Sequence, residues 1–176
     1  MTGYAELHAL SNFTFLRGAS HPEELVETAA SLAYHALAIT DECSVSGIVR
    51  AHVAAKEKKL PLIIGSELRL ANGLKLVVLA RNRAGYAELC SLITRGRGAA
   101  DKGSYLLTAE DFSDGLANCY VLWVPDNQLL LGAEDFWITD AFRDRLWIAV
   151  ELLADGLERL RLARIRHLGT ALNLPL

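Results

Sequence analysis

The stretch ALAITDECSVSGIVRAHVAAKEKKLPLIIGSEL, Ala36 to Leu68, decides the fold class. Ala36 to Thr40 is an uninterrupted apolar run too short for a helix, which predicts a strand buried on both faces of a parallel sheet. It ends at Asp41-Glu42. Ser46 to Lys58 then carries Ile48, Val49, Val53 and Ala54 at helical spacing and finishes in Lys56, Lys58 and Lys59, cations suited to a helix C-terminus. Leu62 to Ile64 opens a second buried strand that reaches Gly65-Ser66-Glu67. Strand, crossover helix and strand in succession are the signature of an α/β fold.

The same alternation extends both ways. Upstream, Tyr4 to Leu10 reads as a strand ending at Ser11-Asn12, followed by a loop to Ser20. Ser20-His21-Pro22-Glu23 has the S-x-x-E spacing of a capping box, with a helix from His21 to Ala33 presenting Leu25, Ala29 and Leu32 on one face. Downstream, Asn72-Gly73 between Arg69–Ala71 and Lys75–Ala80 is a hairpin signal, because both turn positions tolerate positive φ. Arg83 to Arg97 predicts a helix with Tyr86, Leu89, Leu92 and Ile93 inward, and Thr108 to Asp111 a short capped turn. Cys119 to Val124 reads as a strand, Pro125-Asp126-Asn127 as a turn and Ala133 to Phe142 as a helix. Leu146 to Leu152 is the next strand and Asp155 to Leu172 a long helix, after which Asn173 to Leu176 enters a further strand. The pattern predicts an α/β barrel or a doubly wound sheet in one domain spanning residues 1–176.

With 176 residues, 52% of them hydrophobic, the chain has apolar material for one sizeable core. A net charge of -3 weighs against a dedicated nucleic-acid-binding module. Cys43, Cys90 and Cys119 are odd in number and form no C-x-x-C pair, so neither a disulfide framework nor a zinc knuckle is indicated. No cationic leader and no membrane-length apolar run appears, and a cytoplasmic protein with no membrane partner is expected.

Polar residues just past the strands are where an α/β fold gathers its chemistry, which singles out His8, Asp41-Glu42, Glu67 and Glu151. His8 reads either as a hydrogen-bonded rim histidine or as a metal ligand or acid-base group. Asp41-Glu42 reads as a site or as helix capping. If His8, Asp41, Glu42 and Glu67 converged, one nitrogen and up to six carboxylate oxygens would favour Mg²⁺ or Mn²⁺ over a thiolate zinc centre. His21 reads as a helix-start residue, and His35, His52 and His167 as surface residues. Arg81, Arg83, Arg95, Arg97 and Lys102 offer phosphate contacts or form a solvated face. No P-loop, G-x-G-x-x-G or G-x-S-x-G motif is present.

The segments YAELHALSNFTFLRGASHPEELV, ALAITDECSVSGIVRAH, LIIGSEL and LVVLARNRAGYAELCSLI, in this order, resemble the N-terminus of C-family DNA polymerases. LSNF, FLRGASHPEEL and TDECS resemble the error-prone, damage-inducible branch of that family. The resemblance implies a PHP domain (polymerase and histidinol phosphatase type), a distorted (βα)7 barrel ending here before its last strand. Metal-binding members carry H-x-H in the first strand, where this chain has His8 and Leu10; the aspartate before the next glycine is Arg17. T-D-H reads Thr40-Asp41-Glu42, G-x-E is intact as Gly65-Ser66-Glu67, and a histidine opening the following strand is Lys75. The implied site is therefore a vestigial one of His8, Asp41, Glu42 and Glu67 for Mn, Mg or Zn, opposed by the cations Arg17 and Lys75, with no catalytic residue. The resemblance implies a scaffold for the core of an error-prone DNA polymerase in translesion synthesis and DNA repair. Its partners would be the remainder of that chain, DNA through it, and a mutasome protein or the sliding clamp. The alternative is a metal-dependent phosphoesterase or 3′–5′ exonuclease using His8, Glu42 and Glu67. Polymerase magnesium would be held elsewhere in the parent chain.

Overall fold

The computed structural model describes residues 3–125, 136–152 and 154–176. The chain alternates β1 (Ala5–Ala9), α1 (Pro22–Ser31), β2 (Ala36–Ile39), α2 (Ile48–Lys58) and β3 (Leu62–Arg69), then β4 (Lys75–Ala80) and α3 (Arg83–Gly98). A 3-10 turn (Ala109–Phe112), β5 (Cys119–Trp123), α4 (Trp137–Ala141), β6 (Leu146–Ile148) and α5 (Glu158–Leu172) complete it. The strands lie side by side in sequence order in one six-stranded sheet. The β1–β2, β2–β3 and β5–β6 pairs are parallel, whereas β4 is antiparallel to both neighbours. The sheet curls far enough for His8 of β1 to hydrogen-bond Glu151, three residues past β6.

Side-chain alternation sorts each strand between two faces. Leu68, Leu76, Val78, Val121, Leu146 and Ile148 point outward into the main core, which α3, α4 and α5 cover through Leu89, Ile138 and Ile165. A second outer cluster packs Val26 and Ala29 of α1 and Ile48 and Ala51 of α2 on Leu37 and Ile39 of β2. The inner, concave face is narrower, holding Ala38, Val77, Leu79 and Val124 against Ile63, Leu122 and Ala149. At Gly65 a Cβ would lie 2.8 Å from the Val78 carbonyl oxygen and 2.9 Å from Thr40 Cγ2, so this crowded curl admits only glycine.

Several expectations shift in detail. The helix cap is His21 rather than Ser20: the His21 amide donates to Glu24 Oε2 at 2.7 Å, because Pro22 takes the first helical position and moves the box one residue on. Val26 replaces Leu32 on the buried face of α1, and Leu32 caps the helix, 59% exposed. In α2 the alanines Ala51, Ala54 and Ala55 face inward with Ile48, since α1 packs close, and Val49 and Val53 are exposed. Tyr86 is likewise exposed, and Gly85 takes its place against Asn118. The strand expected over Leu146–Leu152 ends at Ile148, and Asn173–Leu176 forms no strand but touches β6 at one point, where Ile148 N donates to Pro175 O at 2.9 Å. The turn residues Asp126-Asn127 and the start of the helix expected from Ala133 lie outside the described residues. Among the described residues no helix is long and apolar enough to cross a membrane.

Candidate functional site: an ion-pair network at the strand ends

One end of the sheet collects charge. β1, β2, β3, β5 and β6 all run towards it, and the reversal of β4 brings the start of that strand there as well. His8, late in β1, and Glu67, late in β3, face inward, and Lys75 does so from the first position of β4, two residues before the inward Val77. Glu42 follows β2 and is held in line by a parallel bridge to Glu67, with Cys43 N donating to Glu67 O at 2.8 Å. Arg17 enters from the β1–α1 loop, Glu151 from beyond β6, and Tyr105 from the segment after α3.

Arg17 is the hub. Its Nη1 donates to Glu42 Oε2 at 2.6 Å and to Glu67 Oε1 at 2.5 Å, while Nη2 donates to Glu67 Oε2 at 3.1 Å, a forked grip on a carboxylate with 0% exposure. Glu67 Oε2 also accepts from His8 Nε2 at 2.9 Å, and His8 Nδ1 lies 3.0 Å from Glu151 Oε1. Both ring nitrogens thus face carboxylates, which requires both to donate and makes His8 an imidazolium. Lys75 Nζ reaches Glu151 Oε2 at 3.4 Å. Glu42 Oε1 accepts from the Tyr105 hydroxyl at 2.8 Å, and that oxygen accepts in turn from the Arg69 amide at 3.0 Å. The guanidinium of Arg97 lies over the Tyr105 ring and donates to the Glu42 and Cys43 carbonyls. Three cations therefore balance three carboxylates.

Titration follows this geometry. Burial by itself would raise the Glu67 carboxyl, but the hydrogen bonds from His8 and Arg17 outweigh it and hold the group at about 2. Burial opposes the charge on His8, and the Glu151 and Glu67 carboxylates overcome it, so its pKa is raised. The His8 hydrogen bond lowers Glu151 against the cost of burial. Burial, then Glu42, raises Tyr105. Chemically, Glu67 is a weak base with both oxygens taken, and an imidazolium between two carboxylates has no lone pair to give.

The structure brings three of the four candidate ligands together, His8, Glu42 and Glu67, but through Arg17 rather than around an empty centre. Asp41 stands apart, and this corrects its expected place in the cluster. Successive residues leaving a strand point to opposite sides, so while Glu42 faces the mouth, the Asp41 carboxylate accepts from Ser11 N at 2.8 Å, Ser11 Oγ at 2.7 Å and Thr14 Oγ1 at 2.7 Å. It fastens the loop that carries Arg17. The residues present do not fit a divalent metal: the guanidinium occupies the inward oxygens, and among the described residues no group of three or more His, Cys, Asp and Glu side chains is arranged to hold one. Arg17 and Lys75 enter as partners of the carboxylates, where the sequence marked them only as opposing a metal. Tyr105, Ser11 and Thr14 carried no signal in the sequence beyond the position of Ser11 just after a strand, and Arg97, marked there only as a phosphate contact or part of a solvated face, donates to the Glu42 and Cys43 carbonyls.

Comparison with known proteins places these features. A family model described as PHP domain matches residues 6–121. An error-prone DNA polymerase of Dechloromonas aromatica is 52% identical over 98% of this chain, and one of Pseudomonas aeruginosa is 51% identical over 99%. In each the match covers 17% of the relative, so the chain spans about a sixth of the length of these curated relatives. In structure it is similar to a candidate metal-dependent phosphoesterase from Bifidobacterium adolescentis, with a TM-score of 0.67 over 99% of this chain and 85% of the other at 16% identity. That likeness is one of fold.

Proposed function

The chain belongs to the PHP domain family, and from that premise we propose that it is the non-catalytic scaffold domain of a cytoplasmic error-prone DNA polymerase acting in translesion synthesis and DNA repair. The observation that carries this reading is the Arg17 guanidinium gripping Glu67 and Glu42 at the strand ends, where a metal-dependent relative would need free carboxylates. The Arg17 cation ties the ends of strands β1, β2 and β3 together by contacts within the protein, and leaves no base or open coordination position. The remainder of the polymerase is the first partner, and DNA is reached through it. A cleft of about 540 Å³ between β1 and β6, lined by Leu7, His8, Trp147, Val150 and Leu176, is the place for a further strand of the domain, supported by the Ile148–Pro175 hydrogen bond that starts such a pairing.

Calorimetric titration with Mn²⁺ and Zn²⁺, together with nuclease and p-nitrophenyl phosphate assays, tests the reading. The expected result is no stoichiometric binding and no turnover. Tight binding of either ion with turnover that disappears in His8→Ala would establish the phosphoesterase or exonuclease alternative instead.

A further inference from the structure

We infer that the tip of the β1–α1 loop, Phe15-Leu16, is the contact by which this domain docks onto the rest of the longer polypeptide that its relatives carry, an inference resting on the scaffold reading. Phe15 is 84% exposed and Leu16 88%, the two most exposed large hydrophobic residues among those described, with Phe13 beside them at 42%. Isolated exposed apolar residues are ordinary, but these are held in place from both sides.

Thr14 is buried with its hydroxyl on Asp41, and Arg17 is clamped by Glu42 and Glu67. Between them, Arg17 N and Gly18 N both donate to Thr14 O, at 3.1 and 3.0 Å, and Asn12 N donates to Ser20 O at 2.8 Å to close the base of the loop. A Cβ at Gly18 would fall 1.9 Å from Ser11 O, so the return of the loop is too tight for any other residue. Leu16 sits at φ 64, a left-handed conformation unfavourable for a branched side chain. A loop fixed this firmly presents its phenyl and isobutyl groups in one geometry. That preorganisation lowers the ordering cost of a contact and suits an apolar pocket sized for one aromatic and one aliphatic side chain.

The occupant we assign is intramolecular because the matched part makes up 17% of each relative, so more than four-fifths of the polypeptide lies outside this domain and needs a fixed point on it. The tip emerges from the same loop whose anchors are the ion-pair network, which makes the network the rigid base of the contact.

The experiment uses the full-length protein with a photoreactive benzoylphenylalanine at position 15 and, as control, at the exposed position 57. The expected product is an intrachain cross-link from position 15 to a peptide outside residues 1–176, absent from the control. The double variant Phe15→Ser/Leu16→Ser is expected to lower the melting temperature of the full-length protein by roughly 3 °C. Cross-links confined to residues 1–176, cross-links to a second copy, or yields equal to the control would overturn the assignment. Metal binding and turnover are unaffected by either result, so failure of the tip contact and failure of the scaffold reading are told apart.

Discussion

The two wings of the charge network are built differently. On one side Arg17, Glu42, Glu67 and Tyr105 interlock at 2.5 to 3.1 Å around a carboxylate with no exposure, and the cation is a guanidinium that never loses its proton. On the other side His8, Glu151 and Lys75 meet at 3.0 and 3.4 Å, with the Glu151 side chain 32% exposed and the charge of the bridge dependent on an imidazole. The first wing joins strands already paired by backbone hydrogen bonds. The second spans the cleft between β1 and β6, where no backbone ladder exists among the described residues. Permanent charge thus sits between strands that the backbone already pairs, and titratable charge across the gap that the backbone does not bridge.

Arg17→Ala tests the dense wing hardest. It leaves Glu67 buried with His8 as its remaining hydrogen-bonded counterion, and unfolding by denaturant should show a loss of about 2 to 4 kcal/mol, the figure for a broken buried pair reduced because the Arg17 side chain is 38% exposed. A loss no larger than that of a surface substitution would abolish the distinction between the wings. Asp41→Ala comes next, at roughly 2 to 3 kcal/mol, since it strands the Ser11 and Thr14 donors and releases the loop that aims Arg17. Combined with Arg17→Ala it should cost less than the sum, which a double-mutant cycle reads directly.

The open wing is tested by pH. The pKa of His8 is raised in the folded protein, so its contribution is fully present below the unfolded value of 6.5 and is lost as pH rises through the higher folded value. Glu67 behaves oppositely: its contribution is present above the unfolded 4.5 and is lost as pH falls towards about 2. Stability should therefore plateau between these limits, and His8→Gln should flatten the alkaline limb and shrink the acid limb in part, since Arg17 still holds Glu67. The smallest effect belongs to Glu151→Gln, below about 1 kcal/mol, because the Glu151 side chain is itself 32% exposed. An equal effect from Glu151→Gln and Arg17→Ala would make the two wings one.

Much of this was legible in the sequence. The runs Ala36–Thr40 and Leu62–Ile64 announced parallel strands because burial on both faces leaves no polar alternation, and Asn72-Gly73 announced the hairpin that reverses β4. His8, Glu42 and Glu67 were visible as polar residues at strand ends. What the pattern could not convey was direction. Asp41 and Glu42 are adjacent and chemically alike, yet the strand pleat sends one into the loop and the other into the mouth. Tyr105 reaches Glu42 across 63 residues of chain, and no local periodicity encodes such a meeting. Val49 and Val53 misled because alanine, the weaker hydrophobic signal, is what two closely packed helices require.

The reversal at β4 also has a bearing on how the mouth can change. Strand β4 alone among the described strands leaves the mouth rather than arriving at it, and it delivers its first residue straight from a short turn in register with Arg69. The side chain at position 75 is therefore indexed by the length of that turn. A register slip by one residue would carry the lysine to the convex side, but it would also swap Leu76 and Val78 with Val77 and Leu79, so packing on both faces of β4 opposes it. In this fold the electrostatic composition of the mouth is partly a matter of counting residues in a hairpin, a count that the two apolar faces of β4 hold fixed.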